Sequence, residues 1–349
     1  MKIISIPSTS HEDIRRVEDA ATGLIGFIAI HSTTLGSAAG GLRMKPYTTE
    51  QEALTDVMRL SEGMTYKNAA AGLPLGGGKA VILGDPKVLK TPELLHAFAR
   101  AIEACEGRYW TAEDMGMTPA DMAELARETR FVAGLADGEF ASGDPSPITA
   151  RGIFNAIRCV AKHRFGNATL TGKTVSVQGL GNVGWNLCEL LTDAGAKLIV
   201  TDISEERVDA AVVELGAKAV ALDEIYGAQA DIFAPCAIGG ILNAGTIAQL
   251  KVAAVAGGAN NQLASTEDAA LLHEKGILYA PDFVANGGGI INVATEILEI
   301  ANREAWVDDK VAALDATMDA ILSEAARKGV SPADVAQDVV ARAITERAA

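Results

Sequence analysis

The sequence predicts a two-domain α/β protein, with a mixed first domain and a doubly wound parallel sheet in the second. Three observations carry this. The 349 residues suit about two domains at the usual ~100–200 residues each. From Thr174 onward, short β-rich runs alternate with helical patterns, as parallel strands joined by helix crossovers do. Between the halves, Gly134 to Pro147 is rich in Gly, Ser, Asp and Pro, the composition of a linker. Domains are therefore expected over 1–137 and 148–319, with C-terminal helices from about 320–349 completing the first.

Each element has its own signal. Leu24–Ile30 reads as a buried strand. Thr49–Lys67 is an amphipathic helix, with Leu54, Val57, Leu60 and Met64 at helical spacing. Ala80–Leu83 is a short strand. Pro92–Cys105 is a helix with Thr91 as N-cap and proline in its first turn. Tyr109–Ala112 is a strand, and Thr118-Pro-Ala-Asp121 opens a capped helix. In the second half the strands are Thr174–Gln178, Lys197–Thr201, Ile232–Ala234, Val252–Ala256 and Ile277–Ala280. The tail, Lys310–Ala349, is expected to be wholly helical and to fold back on the first domain.

Composition narrows the function. A 49% apolar content supports a large core, and a net charge of −15 argues against nucleic-acid or anionic-membrane partners. The four cysteines form no C-x-x-C pair and the five histidines no H-x-x-x-H pair, so no metal site or disulfide frame is expected. No apolar run reaches the ~18 residues of a membrane span, and the N-terminus lacks a signal-peptide layout, so a cytoplasmic location is expected.

Two glycine-rich stretches carry the chemistry. Gly179-Leu-Gly-Asn-Val-Gly184 fits G-x-G-x-x-G. It follows the strand Thr174–Gln178 and opens a helix over Val183–Ala194, and a second strand ends at Asp202. Gly179 suits the tight turn, Gly181 the approach of a pyrophosphate and Gly184 close helix–strand packing. This is a Rossmann-type dinucleotide fingerprint. Asp202 accepts both ribose hydroxyls and repels a 2′-phosphate, which favours NAD over NADP; nearby Arg207 softens that preference. The second stretch is Leu73-Pro-Leu-Gly-Gly-Gly-Lys79. It is no phosphate loop, because Leu73 and Ala80 stand where that pattern needs glycine and a hydroxyl. Lys79 is expected just before its strand, Lys67 at the end of a helix and Asp114 after a strand. Hydride chemistry at an amino-bearing carbon needs a cation for the substrate carboxylate, a base and a proton shuttle.

With these motifs the chain resembles the Glu/Leu/Phe/Val dehydrogenase family over nearly its whole length. The shared stretches are Gly40-Gly-Leu-Arg43, Met64-x-x-Lys67, Pro74-Leu-Gly-Gly-Gly-Lys79, Thr111-x-x-Asp114, the Gly179–Gly184 fingerprint, Ala256-Gly-Gly-Ala-Asn-Asn261 and Pro281-Asp-Phe-Val-Ala-Asn286-Gly-Gly-Gly. The resemblance implies a substrate and oligomerisation domain and a dinucleotide domain separated by a cleft, with closure about the linker Gly138–Pro147 and residues 310–325. It implies NAD-dependent oxidative deamination of an L-amino acid to a 2-oxo acid and ammonia.

The resemblance also implies roles. Lys79 and Asp114 are catalytic. Gly40, Gly41, Met64, Lys67 and Asn261 bind substrate, Lys67 through its α-carboxylate. Leu180, Asn182, Val183, Cys236, Ala237, Ala259, Asn260 and Asn286 join the fingerprint glycines and Asp202 around the cofactor. Neutral Lys79, favoured by burial and by the charge of Lys67, activates water, and Asp114 moves the proton that frees ammonia. The glycines before Lys79 let backbone and substrate approach the amine.

Glutamate-specific members carry lysine where this chain has Ala39 and serine where it has Val293. An apolar pocket of Ala39, Ala112, Ile290 and Val293 follows. Ala39 leans toward phenylalanine, while Ala112, Glu113 and the Ile-Asn-Val run lean toward leucine or valine; phenylalanine is favoured slightly. Partners are small molecules and further copies of the chain, with Leu24–Ile30 as an exposed apolar strand for contact. Competing classes are another amino-acid dehydrogenase of the family, such as a glutamate enzyme, a catalytically silent NAD-binding regulator, and a 2-hydroxy-acid dehydrogenase. The last commonly uses a histidine–carboxylate pair, yet no histidine falls in a shared stretch, and His273 is expected mid-helix and partly buried.

Overall fold

In the computed structural model, which describes residues 1–348, two sheets organise the chain. They belong to two units. The first takes Met1–Asp144, Ile290–Asp308 and the chain's end from Ala341; the second takes Pro145–Gly289 and Asp309–Val340. The chain thus passes between units after Asp144, Gly289, Asp308 and Val340, where the sequence suggested one return near 310–325.

The first unit holds β1 (Lys2–Ser5), β2 (Asp13–Asp19), β3 (Leu24–Ser32), β4 (Ala38–Ala39), β5 (Leu42–Lys45), β6 (Gly76–Leu83) and β7 (Tyr109–Trp110). Their order is β1-β2-β3-β6-β4-β7, with β5 also on β6. Helices α1 (Glu50–Ala70), α2 (Pro86–Leu89), α3 (Pro92–Glu103) and α4 (Pro119–Leu125) accompany them. Alternation along β6 separates two cores. Ala80 and Ile82 join Tyr109, Phe98 and Ile102 on one face. Val81 joins Phe27, Ala53 and Val57 on the other, against α1.

Several expectations need correction here. Strand β6 begins at Gly76, not Ala80, so Lys79 lies inside a central strand rather than before one. A Cβ at Gly77 would sit 2.1 Å from Thr65 Oγ1 and 2.2 Å from Thr65 N, and one at Gly78 would lie 2.6 Å from the Tyr109 ring. The glycines therefore admit α1 and Tyr109 against the strand. Leu24–Ile30 is no exposed contact strand: it lies in β3, buried between β2 and β6, and the exposed edge is β1. Strand β2, Asp-Ile-Arg-Arg-Val-Glu-Asp, was not anticipated; its charges are paired, Arg15 with Asp13 at 2.9 Å and Arg16 with Glu50 at 2.7 Å.

The second unit opens with α5 (Ser146–Phe165). Then follow β8 (Thr174–Gln178), α6 (Asn182–Asp193), β9 (Lys197–Thr201), α7 (Glu205–Leu215), β10 (Lys218–Ala219), β11 (Ile232–Pro235), α8 (Ala244–Gln249), β12 (Ala254–Val255), α9 (Glu267–Glu274), β13 (Leu278–Tyr279) and α10 (Asp282–Ala285). All pairings are parallel, in the order β10-β9-β8-β11-β12-β13. The order reverses between β8 and β11, which is the doubly wound arrangement expected.

Three helices end the chain: α11 (Gly288–Ile297), α12 (Arg303–Lys328) and α13 (Pro332–Ala348). The tail is helical apart from 329–331, as expected, but its stretch from Asp309 to Val340 belongs to the second unit and only the part from Ala341 to the first. Gly329, at φ +69°, stops α12, and Ala349 lies outside the described residues. In the first unit the segment after Gly134 is clamped by α11. Buried Glu296 accepts from Gly134 N at 2.7 Å and from Ser142 Oγ at 2.9 Å, and Asn292 Nδ2 donates to Ser142 O at 3.1 Å. Among the described residues no helix is long and apolar enough to cross a membrane.

Candidate active site

Lys79 faces α1, on the same side of β6 as Gly77 and Val81. Its amine is buried, 8% exposed, and lies 2.5 Å from Asp114 Oδ2. Asp114 reaches it because residues 112–115 run alongside β5: Leu42 N donates to Ala112 O and Met44 N to Met115 O, both at 2.8 Å. Gly41 makes room, since a Cβ there would stand 2.8 Å from Asp114 Cβ. Lys90, bonded to Gly116 O at 3.0 Å and paired with Asp121 at 2.6 Å, fastens the turn that follows.

The carboxylate has a second cation. Arg43 Nε lies 3.1 Å from the same Asp114 oxygen. Burial pushes the Asp114 carboxyl up, but Lys79 and then Arg43 outweigh burial and hold it at about 2. The Lys79 amine and the Asp114 carboxylate thus lie at ion-pair distance.

Helix α1 carries two of the candidate substrate residues, Met64 and Lys67. Asn68, fully buried, donates to Gly76 O at 2.5 Å and fastens the last turn of α1 to β6. Lys67 lies in that turn, half-buried. Met64, one turn earlier, reaches over Gly40, where an added Cβ would meet Met64 Cγ at 2.9 Å. Ala39 is wholly buried on β4, Ala112 and Ile290 are 8% exposed, and Val293 is half-buried on α11.

The dinucleotide candidates gather in the second unit at the carboxyl ends of strands in register. Gln178, Thr201 and Pro235 are aligned neighbours, so Gly179, Asp202 and Cys236 emerge together. Gly179 turns at φ +96°, and a Cβ at Gly184 would lie 2.0 Å from Gly179 O. A Cβ at Gly181, by contrast, would meet nothing within 4 Å, so packing does not demand glycine there. Gly181 also caps α6 without a side-chain bond, leaving first-turn amides free for an anion. The Asp202 carboxylate accepts from Leu180 N at 2.6 Å and Ser204 N at 2.8 Å, which fixes it beside the turn.

Asn286 binds Gly258 O at 3.1 Å and Asn260 Oδ1 at 2.7 Å through Nδ2, while its buried Oδ1 has no partner. Asn261 holds φ +51°. An orphaned acceptor, an uncapped helix start and an open glycine are what a dinucleotide would use, so these residues fit one.

The chain belongs to the Glu/Leu/Phe/Val dehydrogenase family. Its family model for the dimerisation domain matches residues 9–131, and the Glutamate/Leucine/Phenylalanine/Valine dehydrogenase model matches 142–206 and 200–346. The chain is 53% identical over 294 residues to a leucine dehydrogenase of Geobacillus stearothermophilus, covering 84% of this chain and 80% of that one. It is 45% identical over 347 residues to a phenylalanine dehydrogenase of Caldalkalibacillus thermarum, covering 97% and 93%. Its structure matches that of L-tryptophan dehydrogenase from Nostoc punctiforme with a TM-score of 0.85, at 40% identity and 97% coverage of both chains. Membership makes the protein an oxidoreductase acting on the CH–NH2 group of an amino acid, with a nicotinamide cofactor.

The Gly40-Gly-Leu-Arg43 motif gives Arg43 no role, and nothing in the sequence singles out Asp56 or Tyr47, which Arg43 connects to Asp114. Nothing local marks these pairs, since a strand, a loop and a helix bring them together. His273 is exposed in the last turn of α9, not partly buried. A donor group was also missed: Cys159 and His163 on α5 and Asp319 on α12 lie within 4.8 Å of one another. Lys162 sits 2.9 Å from the same Asp319 oxygen, so positive charge already stands where a cation would go.

Proposed function

We propose that the protein catalyses reversible NAD-dependent oxidative deamination of an apolar L-amino acid to its 2-oxo acid and ammonia. The observation that carries this is the buried Lys79–Asp114 pair at 2.5 Å, in a chain that also builds a complete dinucleotide fingerprint. Lys67 takes the substrate α-carboxylate. The nicotinamide cofactor that Gly179–Gly184, Asp202 and Asn286 would hold would supply the acceptor for the α-hydride. Lys79 then receives a proton from the water that attacks the resulting imine carbon, and Asp114 passes a proton to the nitrogen that leaves as ammonia. Because Asp114 binds its proton so weakly in the free protein, entry of the charged substrate has to redistribute the pair before that transfer.

Preference for NAD over NADP is supported by Asp202, a carboxylate just after β9 and beside the glycine turn that would repel a 2′-phosphate. Among substrates, a second carboxylate would find no cation at Ala39 or Val293, so glutamate is disfavoured. Phenylalanine, leucine and valine all suit an apolar pocket of this kind. The protein acts as a homo-oligomer in the cytoplasm. The test is turnover of Leu, Val, Phe and Glu with NAD and with NADP. Rapid glutamate oxidation, or no oxidation of any apolar amino acid, contradicts the proposal.

A further inference from the structure

Arg43 stands between two carboxylates. Its Nε is 3.1 Å from Asp114 Oδ2 and its Nη1 is 3.1 Å from Asp56 Oδ2. Tyr47 donates its hydroxyl to that same Asp56 oxygen at 2.8 Å. The side chains of Arg43 and Asp56 are only 15% and 11% exposed. The network joins β5, α1 and the segment bearing Asp114. A guanidinium serves both ends at once because its donors point along different edges, whereas an ammonium reaches only one end with the same geometry.

We propose that Arg43, held by Asp56 and Tyr47, is a positioning residue that sets how readily the Lys79–Asp114 pair gives up and regains its proton. This rests on the amino-acid dehydrogenase chemistry above. Positive charge beside the pair eases withdrawal of its proton, and negative charge opposes it. The charged and titratable groups on the elements around the pair are Lys79 from β6, His31 from β3, Tyr109 from β7, Glu113 and Asp114 from their segment, Glu50, Glu52, Asp56, Arg59, Glu62, Tyr66 and Lys67 from α1, and Arg43, Lys45 and Tyr47 from β5 and the loop after it. Asp56 partly cancels Arg43, so the two residues act on the pair with opposite sign.

That opposition separates tuning from mere support. The profile of kcat/KM against pH for the amino acid reports the free enzyme's groups. Arg43→Gln removes a positive charge, so the limb on which rate rises with pH moves to higher pH, by about one unit. Asp56→Asn removes a negative charge, so the same limb moves to lower pH. Arg43→Lys keeps the charge but not both contacts; its limb stays near wild type while kcat falls about tenfold. Circular dichroism and NADH binding confirm that each variant is folded. If Arg43→Gln does not fold, the other two still decide. Limbs of Arg43→Gln and Asp56→Asn that stay at the wild-type position, or that move together in one direction, overturn the inference. Failure of the wild-type protein to oxidise apolar amino acids would instead overturn the proposed function.

Discussion

Gly77→Ala is a small change with a large expected effect. The new methyl carbon would lie 2.2 Å from Thr65 N and 2.6 Å from Ser61 O, both backbone atoms of α1. Ordinary contact begins near 3.4 Å, so α1 has to retreat from β6 by about 1.2 Å at Thr65. Overpacking of this kind costs about 1–3 kcal/mol, which at roughly 2–4 °C per kcal/mol lowers Tm by several degrees. The displaced turn carries Met64 and Lys67, and a misplacement of about 1 Å near a reaction costs on the order of 10²-fold in rate. Steady-state kinetics should therefore show a fall of about that size in kcat/KM for the amino acid. NADH affinity, built from residues of the other unit, should stay put. Gly63→Ala is the control: it lies in the same helix, its added Cβ meets nothing within 4 Å, and it should stabilise by roughly 0.5–1 kcal/mol. A Gly77→Ala protein with wild-type Tm and wild-type amino-acid kinetics would refute the reasoning.

Other outcomes follow from the charges. The Asp114 carboxyl is held at about 2, below its unfolded value near 3.9, so it contributes roughly 2–3 kcal/mol that is present above pH ~4 and lost as pH falls toward 2. Denaturant titrations of Asp114→Asn should lack that part of the acid dependence. Asp315 behaves in the opposite sense: burial pushes its carboxyl up to about 6, which makes its ionised form destabilising. Asp315→Asn should raise Tm at pH 7–8 and leave it unchanged near pH 4. Asp202→Ser should weaken NAD binding and narrow the preference over NADP, measured as the ratio of the two kcat/KM values.

Much of this was legible in the sequence where the interactions are local. Thr91 and Thr118 were readable as helix caps, and each hydroxyl accepts the expected backbone N–H; Thr49, read as the first helical residue, is the cap of α1. The strand–glycine turn–helix unit around Gly179–Gly184 spans only a short stretch of chain, and its acid falls where the strand ends. The misreadings share a cause in distant contacts. Glycines are poor strand formers by propensity, yet Gly76, Gly77 and Gly78 lie in a strand where the backbone of Ser32, helix α1 and Tyr109 respectively press on them. Strand β2 looks too charged to pair until Glu50 and Asp13 are seen to meet its arginines. The tie from Asp114 through Arg43 to Asp56 runs across β5 and α1, beyond the reach of any spacing rule.

The central claim is that Lys79 handles the proton of the attacking water. The most direct measurement is Lys79→Ala, assayed for amino-acid oxidation by NADH absorbance and for NADH binding by fluorescence in the same preparation. Turnover should fall by at least about 10³-fold while NADH affinity changes less than about threefold. A variant that still turns over at a tenth of the wild-type rate, or one that loses NADH binding in proportion to its activity, would contradict the assignment.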